Sequence, residues 1–248
     1  AWPVSAGAVL ILGARSDIGL AVAHAFAARG HAIQLALRDA ARAEADRADI
    51  ALRHGVAVSL HDFDVLDTAG HGAFLDSLPA LPQLVVCVIG LLGTQEENRR
   101  DPARAALILR SNFEGPAAIL ERIAERFEAR GSGVIFGVSS VAGDRGRASN
   151  YVYGAAKAGF TAYLSGLRAR LSRAGVRVVT VKPGFVRTAM TAGMQLSPLL
   201  TVGPEAVASR IVAVSQGGAE VIYVKRLWWL VMTIIRALPE AIFKKTRF

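Results

Sequence analysis

The stretch Val9-Leu10-Ile11-Leu12-Gly13-Ala14-Arg15-Ser16-Asp17-Ile18-Gly19 decides how the rest of the chain is read. A short apolar run rich in branched residues ends at a glycine turn, and a helical pattern opens directly after it. Strand, glycine turn and helix start, in that order, form a cradle of backbone N–H groups at the positive end of a helix, which suits a pyrophosphate. Gly13 permits the turn and Gly19 permits close contact of helix and strand. Where a middle glycine is expected the sequence has Asp17, a carboxylate beside a phosphate site unless it caps the helix.

Outward from residues 8–12, apolar runs rich in Val, Ile and Leu recur at 32–37, 56–60, 84–89, 134–138, 176–181 and 220–224. Each reads as a strand buried on both faces. Helical patterns fill the intervals at 17–29, 39–53, 68–78, 102–130, 151–174 and 204–215, and several stop at a glycine (Gly30, Gly55, Gly131, Gly175). This alternation predicts an α/β fold: a doubly wound, Rossmann-like parallel sheet of about seven strands with helices on both faces. We expect one domain, with residues 1–224 as a dinucleotide-binding catalytic body and residues 225–248 as its C-terminal apolar and basic tail.

Composition limits the function classes. Apolar residues make up 52% and charged residues 20% of 248, so the chain can build a sizeable core and is not disordered. Cys87 is the only cysteine and sits in an apolar run, which excludes an internal disulfide framework or a thiolate metal cluster; no metal site is expected. The first residues lack a basic region ahead of their apolar stretch and read as a strand, not a signal peptide, so a cytoplasmic chain is expected. The net charge of +9 is uneven: residues 225–248 hold six Lys or Arg (225, 226, 236, 244, 245, 247) against Glu240. A basic tail interleaved with Trp228, Trp229 and Phe243 points to a membrane surface, and no motif supports nucleic acid.

The second strand ends in Leu37-Arg38, where an NAD enzyme would carry an acidic residue for the ribose 2′-OH; an arginine there accommodates a 2′-phosphate, and NADPH is favoured. Arg15, in the glycine loop, could add a second positive charge. Farther on, Tyr153 and Lys157 are four residues apart, one helical turn on the same face, which selects Tyr153 over Tyr151. A neighbouring ammonium and a positive nicotinamide ring would favour the phenolate and lower the tyrosine pKa. The strand at 134–138 runs into Ser139-Ser140-Val141-Ala142-Gly143, a hydroxyl at the carboxyl end of a parallel strand, where open α/β sheets bind ligands.

Taken in order, Gly13 to Gly19, Asp64, Asn112, Ser140, Tyr153, Lys157 and Pro183-Gly184 resemble the short-chain dehydrogenase/reductase family from end to end. Ser140 lies thirteen residues before Tyr153, the family's common interval, so it is preferred over Ser139. The resemblance implies that Ser140 orients and polarises the substrate oxygen, that Tyr153 transfers the proton, and that Lys157 binds the nicotinamide ribose and tunes Tyr153. It further implies that Asn112 holds a relay water and that Asp64 contacts adenine. In Pro183-Gly184-Phe185-Val186-Arg187-Thr188 it implies a segment closing over the nicotinamide, with Val186 and Thr188 in contact with cofactor. The cofactor set is therefore Gly13, Arg15, Ser16, Asp17, Ile18, Gly19, Arg38, Asp64, Gly90, Lys157, Pro183, Gly184, Val186 and Thr188. One departure stands out: the family's Asn-Asn-Ala-Gly after the fourth strand is Cys87-Val88-Ile89-Gly90, and only the glycine survives.

Residues 89–93 with Glu96-Glu97, residues 150–154 and residues 236–243 are similar to the decaprenylphosphoryl-2-keto-erythro-pentose reductases, which reduce C2 of a lipid-linked sugar. That resemblance implies a ketone on a polyprenyl-phosphate pentose as substrate, a flavin-dependent oxidase as partner, and a position peripheral to the inner face of the plasma membrane. A homo-oligomer is also expected. In the tail, Leu227, Leu230, Val231, Ile234, Ile235, Leu238 and Ile242 form one apolar stripe at helical spacing, with Trp228, Trp229 and Met232 off it. The surplus apolar surface must meet a partner subunit, the substrate mouth or lipid. Residues 227–235 would span about 14 Å as a helix against about 30 Å of hydrocarbon, too short to cross. The competing readings are a soluble ketone or 3-oxoacyl-thioester reductase, and a non-catalytic NADP-binding sensor.

Overall fold

The computed structural model describes residues 7–246; residues 1–6 and 247–248, including Arg247 of the basic tail, lie outside the described residues. The chain begins β1 (Val9–Leu12), α1 (Asp17–Ala27), β2 (Ile33–Leu37), α2 (Glu44–His54), β3 (Val58–Asp62), α3 (His71–Asp76) and β4 (Leu84–Cys87). It continues α4 (Gln95–Arg100), α5 (Pro102–Leu109), α6 (Gly115–Arg130), β5 (Gly133–Val138), α7 (Tyr151–Leu171) and β6 (Val176–Lys182). Then come β7 (Phe185–Val186), β8 (Thr201–Val202), α8 (Pro204–Ala213), β9 (Val221–Tyr223), α9 (Arg226–Ala237) and α10 (Glu240–Phe243).

Seven strands form one sheet in the order β3-β2-β1-β4-β5-β6-β9, and every pairing is parallel. The expected seven-stranded doubly wound sheet is what forms. Winding runs outward from β1 to β3, then returns to β4 on the other side of β1, so the carboxyl ends of β1 and β4 flank the switch point where such sheets open a crevice. Parallel strands covered on both sides must be apolar throughout, and β1, β2 and β4 are buried at every position. One core layer joins Val22, Phe26, Ile50, Val207 and Ile211 of α1, α2 and α8 to the sheet; the other joins Phe74, Ile119, Ile123, Phe127, Phe160 and Leu164 of α3, α6 and α7 to the opposite face.

Four expectations need correction. The outer strands β3 and β9 are not buried on both faces, because each has a neighbour on one side only. The helix expected over 102–130 is interrupted by a π-helical turn at Arg110–Glu114, directly ahead of Gly115-Pro116, where the proline supplies no N–H to the helical ladder. Helix α4 and the small parallel pair β7/β8 were not expected: α4 is a short charged segment capped by Thr94, and the paired strands are two residues each.

The tail forms helix as expected, broken at Leu238-Pro239 by an extended residue ahead of proline. Its buried face differs from the expected stripe. Trp228, Met232 and Ile235 of α9, together with Phe243 of α10, are buried around Val141, whereas Trp229, Leu230, Ile234 and Ile242 are exposed. Apolar residues occupy both sides of α9, so spacing alone could not identify the inner one.

Candidate active site

At the end of β1, Gly13 takes a φ of +84°, open to glycine and strained for other residues. A Cβ on Gly19 would come within 2.7 Å of the Ala14 carbonyl, so the first turn of α1 lies directly on the glycine turn. Ser16 caps that helix, its hydroxyl accepting the Gly19 N–H at 3.0 Å. Asp17 therefore neither caps α1 nor faces the crevice; its carboxylate accepts the Ala189 N–H at 2.7 Å and stitches α1 to the segment after β7. This corrects the expectation of a carboxylate at the phosphate cradle.

A cleft of about 420 Å³ opens at the switch point, and Gly13, Arg15, Ser16, Arg38, Asp64 and Gly90 line it together. Among the described residues neither Arg15 nor Arg38 has an ion-pair partner. Asp39, next to Arg38, adopts a left-handed conformation with its carboxylate paired to Arg42 at 2.7 Å. The apolar walls come from Leu37, Phe63, Val88, Ile89 and Leu66, of which Phe63 carries no signal in the sequence motifs. A glycine cradle, a pair of unpartnered guanidiniums and a flat apolar wall fit a phosphorylated dinucleotide. Asp64 also accepts the Leu66 N–H at 2.9 Å, which shapes the cleft rim.

Not every expected cofactor residue reaches this wall. Ile18, in the first turn of α1, packs partly buried against the core, and Val186 is buried in the same layer. Gly184 lies under the Trp228 indole, where a Cβ would be 1.8 Å from Nε1. Thr188 opens a single turn, its N–H bonded to Thr191 Oγ1 at 3.1 Å. Pro183 accepts the Val141 N–H through its carbonyl at 3.0 Å, tying this segment to the turn after β5.

That turn carries the catalytic candidates. Ser139, at the end of β5, is buried and bonds the Lys157 carbonyl and the Thr161 hydroxyl, a structural role. Ser140 instead accepts the Ala142 N–H at 3.1 Å, and its hydroxyl lies near enough to the Tyr153 phenol to pull that group's pKa down. Residues 141–143 lie so close to α7 that a Cβ on Gly143 would meet the backbone of Lys157 and Ala158 at 2.7 Å, and one on Gly154 would meet the Ala142 carbonyl at 2.9 Å. This close crossing brings Ser140 to Tyr153. Tyr151 is exposed on the other side of the helix.

Lys157 is 2% exposed, and its ammonium donates to the carbonyls of Ile89 at 3.3 Å and Val138 at 3.1 Å, joining the ends of β4 and β5. Desolvation brings its pKa down to about 8. Nζ lies 5.8 Å from the centre of the Tyr153 ring. The tyrosine does not show the expected lowering: desolvation of the phenol pushes it up to about 12, the nearby Ser140 hydroxyl pulling only partly the other way. In the protein alone, burial outweighs the neighbouring amine.

Asn112 sits in the π turn, fully buried, with Oδ1 accepting the Leu91 N–H at 3.2 Å and Nδ2 donating to the carbonyls of Leu91 at 2.7 Å and Ile108 at 2.9 Å. Its side chain is committed to the chain that follows β4, so a relay water would have to use another of its atoms. Gly90 is where these groups meet: a Cβ there would lie 3.2 Å from Asn112 Oδ1, 3.6 Å from Lys157 Nζ and 3.8 Å from Met190 Cε. Cys87, the other sequence-marked position nearby, is buried, and desolvation holds its thiol near 11. Among the described residues no group of side chains could hold a metal ion.

Comparison with known proteins agrees with this geometry. The sequence profile described as short chain dehydrogenase matches residues 7–197. An uncharacterized oxidoreductase of Mycobacterium tuberculosis is 35% identical over 97% of this chain and 97% of its own. A short chain dehydrogenase from Burkholderia cenocepacia, solved in complex with NADP, superposes with a TM-score of 0.83 at 20% identity over 98% of both chains. One from Sphingobium yanoikuyae in complex with NADPH gives 0.81 at 24% identity over 97% of this chain and 96% of that one. At these identities the structural likeness speaks to fold.

Proposed function

The chain belongs to the short-chain dehydrogenase family, and from that premise we propose that it is an NADPH-dependent reductase converting a ketone to a secondary alcohol. The observation that carries this reading is the close crossing of the Ser140 turn over α7 at Tyr153, beside the buried Lys157 amine and next to a cleft walled by a glycine turn and two arginines that have no ion-pair partner among the described residues. Arg38, with Arg15, would hold the 2′-phosphate; the Gly13 turn and the N-terminus of α1 would hold the pyrophosphate; Asp64 would sit at the adenosine end. When bound, NADPH supplies the hydride. Residues 1–224 act in this reading as the catalytic body and 225–248 as a tail of the same domain.

Ser140 donates a hydrogen bond to the ketone oxygen and orients it. As the new C–H bond forms at the carbonyl carbon, the π pair moves to oxygen, and the proton leaving the Tyr153 hydroxyl forms the alcohol O–H bond. Lys157 stabilises the phenolate left behind by charge and position. Asn112 keeps Gly90 and Leu91 in place beside that amine. The neutral phenol favoured by burial is the form that a reductase needs at the start of its cycle.

For the substrate, our finer reading is C2 of a polyprenyl-phosphate-linked 2-keto-pentose, met at the inner face of the plasma membrane and produced by a flavin-dependent oxidase. It is supported by the exposed Trp229, Leu230, Ile234 and Ile242 with Arg226, Arg236, Lys244 and Lys245 around them, a surface suited to anionic lipid. A homo-oligomer is proposed on the exposed Leu109 and Phe113 of the α5 region. The test is NADPH oxidation with a lipid-linked 2-keto-pentose, a panel of plain ketones and a 3-oxoacyl thioester. Preference for the first supports the finer reading; preference for either other class replaces it with a soluble reductase. In Tyr153→Phe, turnover should fall about 10²- to 10⁴-fold with NADPH binding retained. NADPH binding without turnover of any carbonyl would make the chain a sensor.

A further inference from the structure

The geometry points to Arg145 as a positioning residue that holds the C-terminal segment against the substrate side of the site, an inference resting on the assignment of Ser140 and Tyr153 above. Beyond Ser140, two adjacent charged residues reach in different directions. Asp144 turns inward, accepting from Lys182 Nζ at 2.5 Å and from the Tyr223 hydroxyl at 2.7 Å, which ties the turn to the ends of β6 and β9. Arg145 reaches across to the tail: one guanidinium nitrogen donates to the carbonyls of Ile235 at 2.5 Å and Leu238 at 2.6 Å, and another to Glu240 at 2.8 Å. The guanidinium also stacks 3.9 Å from the centre of the Phe243 ring.

This is more than a surface ion pair. At the end of α9 the Leu238 N–H is shared between the Ile234 and Ile235 carbonyls at 3.2 and 3.4 Å, and Pro239 brings no N–H. A planar cation at that end gives Ile235 a second, shorter bond, satisfies the carbonyl of the capping Leu238 and complements the helix dipole, which a single ammonium cannot do as fully. What Arg145 holds is an element that touches both segments bordering Tyr153. Val141, adjacent to Ser140, is buried among Trp228, Met232, Ile235 and Phe243. On the other side the Trp228 indole covers Gly184, packs edge-on against Phe185 at 5.3 Å, and donates to the Leu200 carbonyl at 2.9 Å. Residues 184–200 carry Met190, which reaches the Gly90 corner near Lys157. The tail thus fixes the spacing between the Ser140 turn and the segment facing it, while the glycine cradle makes no contact with Arg145.

Arg145→Ala should release this latch: amide exchange should rise in residues 140–150, 184–200 and 226–243, with the NADPH dissociation constant unchanged. Misplacement of about 1 Å at the reacting groups costs on the order of 100-fold, so kcat/KM for the ketone should fall by about that factor. Arg145→Lys, which keeps charge but loses the fork, should show a smaller loss and stands in if the alanine variant does not fold. Ketone kinetics matching the unaltered protein in the folded variants overturn the proposal. So does exchange that rises over the whole chain together with loss of NADPH binding, the mark of a general stability role. If the unaltered protein reduces no ketone, the reductase reading fails, and the exchange pattern still decides whether Arg145 is the latch.

Discussion

Arg38 and Lys157 show how a single side chain takes its meaning from its surroundings. Arg38 lies on the cleft wall without an ion-pair partner, so its charge is available to a ligand. Charge-assisted hydrogen bonds contribute about 1.5–3 kcal/mol, and exposure to solvent puts this one toward the low end. Arg38→Ala should therefore weaken NADPH about tenfold or more while leaving NADH nearly unchanged, as read by titration of cofactor fluorescence. Equal loss of both would move the 2′-phosphate to Arg15. Lys157 gives a pH signature, since its folded pKa of about 8 lies below the ordinary 10.5. Across that window the unfolded chain binds more protons, so stability should rise with pH and be lost again as pH falls through 8. Urea unfolding at pH 7.5 and 9.5 should show this rise, and Lys157→Met should flatten it. Tyr153, Lys157 and Ser140 were legible in the sequence because fixed spacing on a helix or strand end survives into the fold. Asp17 was not, because whether a residue caps a helix or begins it depends on a one-residue shift in the turn. The phenol pKa was misjudged for a different reason: the sequence names the neighbouring charge but not the depth of burial.

At the scale of elements, the π turn between α5 and α6 is the clearest case of structure serving the site. The extra residue turns Asn112 toward Leu91, and the side chain replaces partners that the chain after β4 would otherwise lack. In Asn112→Ala the Ile108 carbonyl and the Leu91 backbone lose those bonds, at about 1–3 kcal/mol for each buried group left unpaired. We expect lower thermal stability and weaker cofactor binding, with secondary structure retained by circular dichroism; an unchanged melting temperature would show that water replaces the amide. The span 102–130 reads as one helix from its helix-forming composition, and only Gly115-Pro116 in its middle marks where the π turn ends. The inner strands are legible to within one or two residues because buried parallel strands stand out as uninterrupted apolar runs, whereas the edge strand β3, expected at 56–60, forms at Val58–Asp62. Helix α9 could not be oriented in the same way, having apolar residues on both sides, and only its packing on Val141 and Gly184 shows which side is interior.

For the whole molecule, the orientation of α9 turns the membrane hypothesis into a sharper experiment. The chain carries a net charge of +9, and much of the excess lies in the tail. No described helix is long and apolar enough to cross a membrane, and α9, at twelve residues, spans about 18 Å against about 30 Å of hydrocarbon. It can lie in an interface with Trp229, Leu230 and Ile234 toward the acyl chains and Arg226, Arg236, Lys244 and Lys245 among headgroups. Removing the tail would be a poor test, because Trp228, Met232 and Phe243 are buried against Val141, next to Ser140. The triple variant Trp229→Ser, Leu230→Ser, Ile234→Ser changes only the exposed face and should keep its melting temperature and NADPH binding. Each basic residue near an anionic surface contributes about 1 kcal/mol before screening, and apolar insertion adds to that. The unaltered protein should therefore co-sediment with phosphatidylglycerol vesicles, less so at high salt but still measurably, and not with neutral phosphatidylcholine. The serine variant should lose the salt-resistant part while retaining a weak, fully screenable attraction. If the unaltered protein ignores anionic vesicles at low salt, the exposed face of α9 does not serve lipid, and the lipid-linked substrate loses its main physical support, while the proposed chemistry at Tyr153 is tested separately by the Tyr153→Phe kinetics.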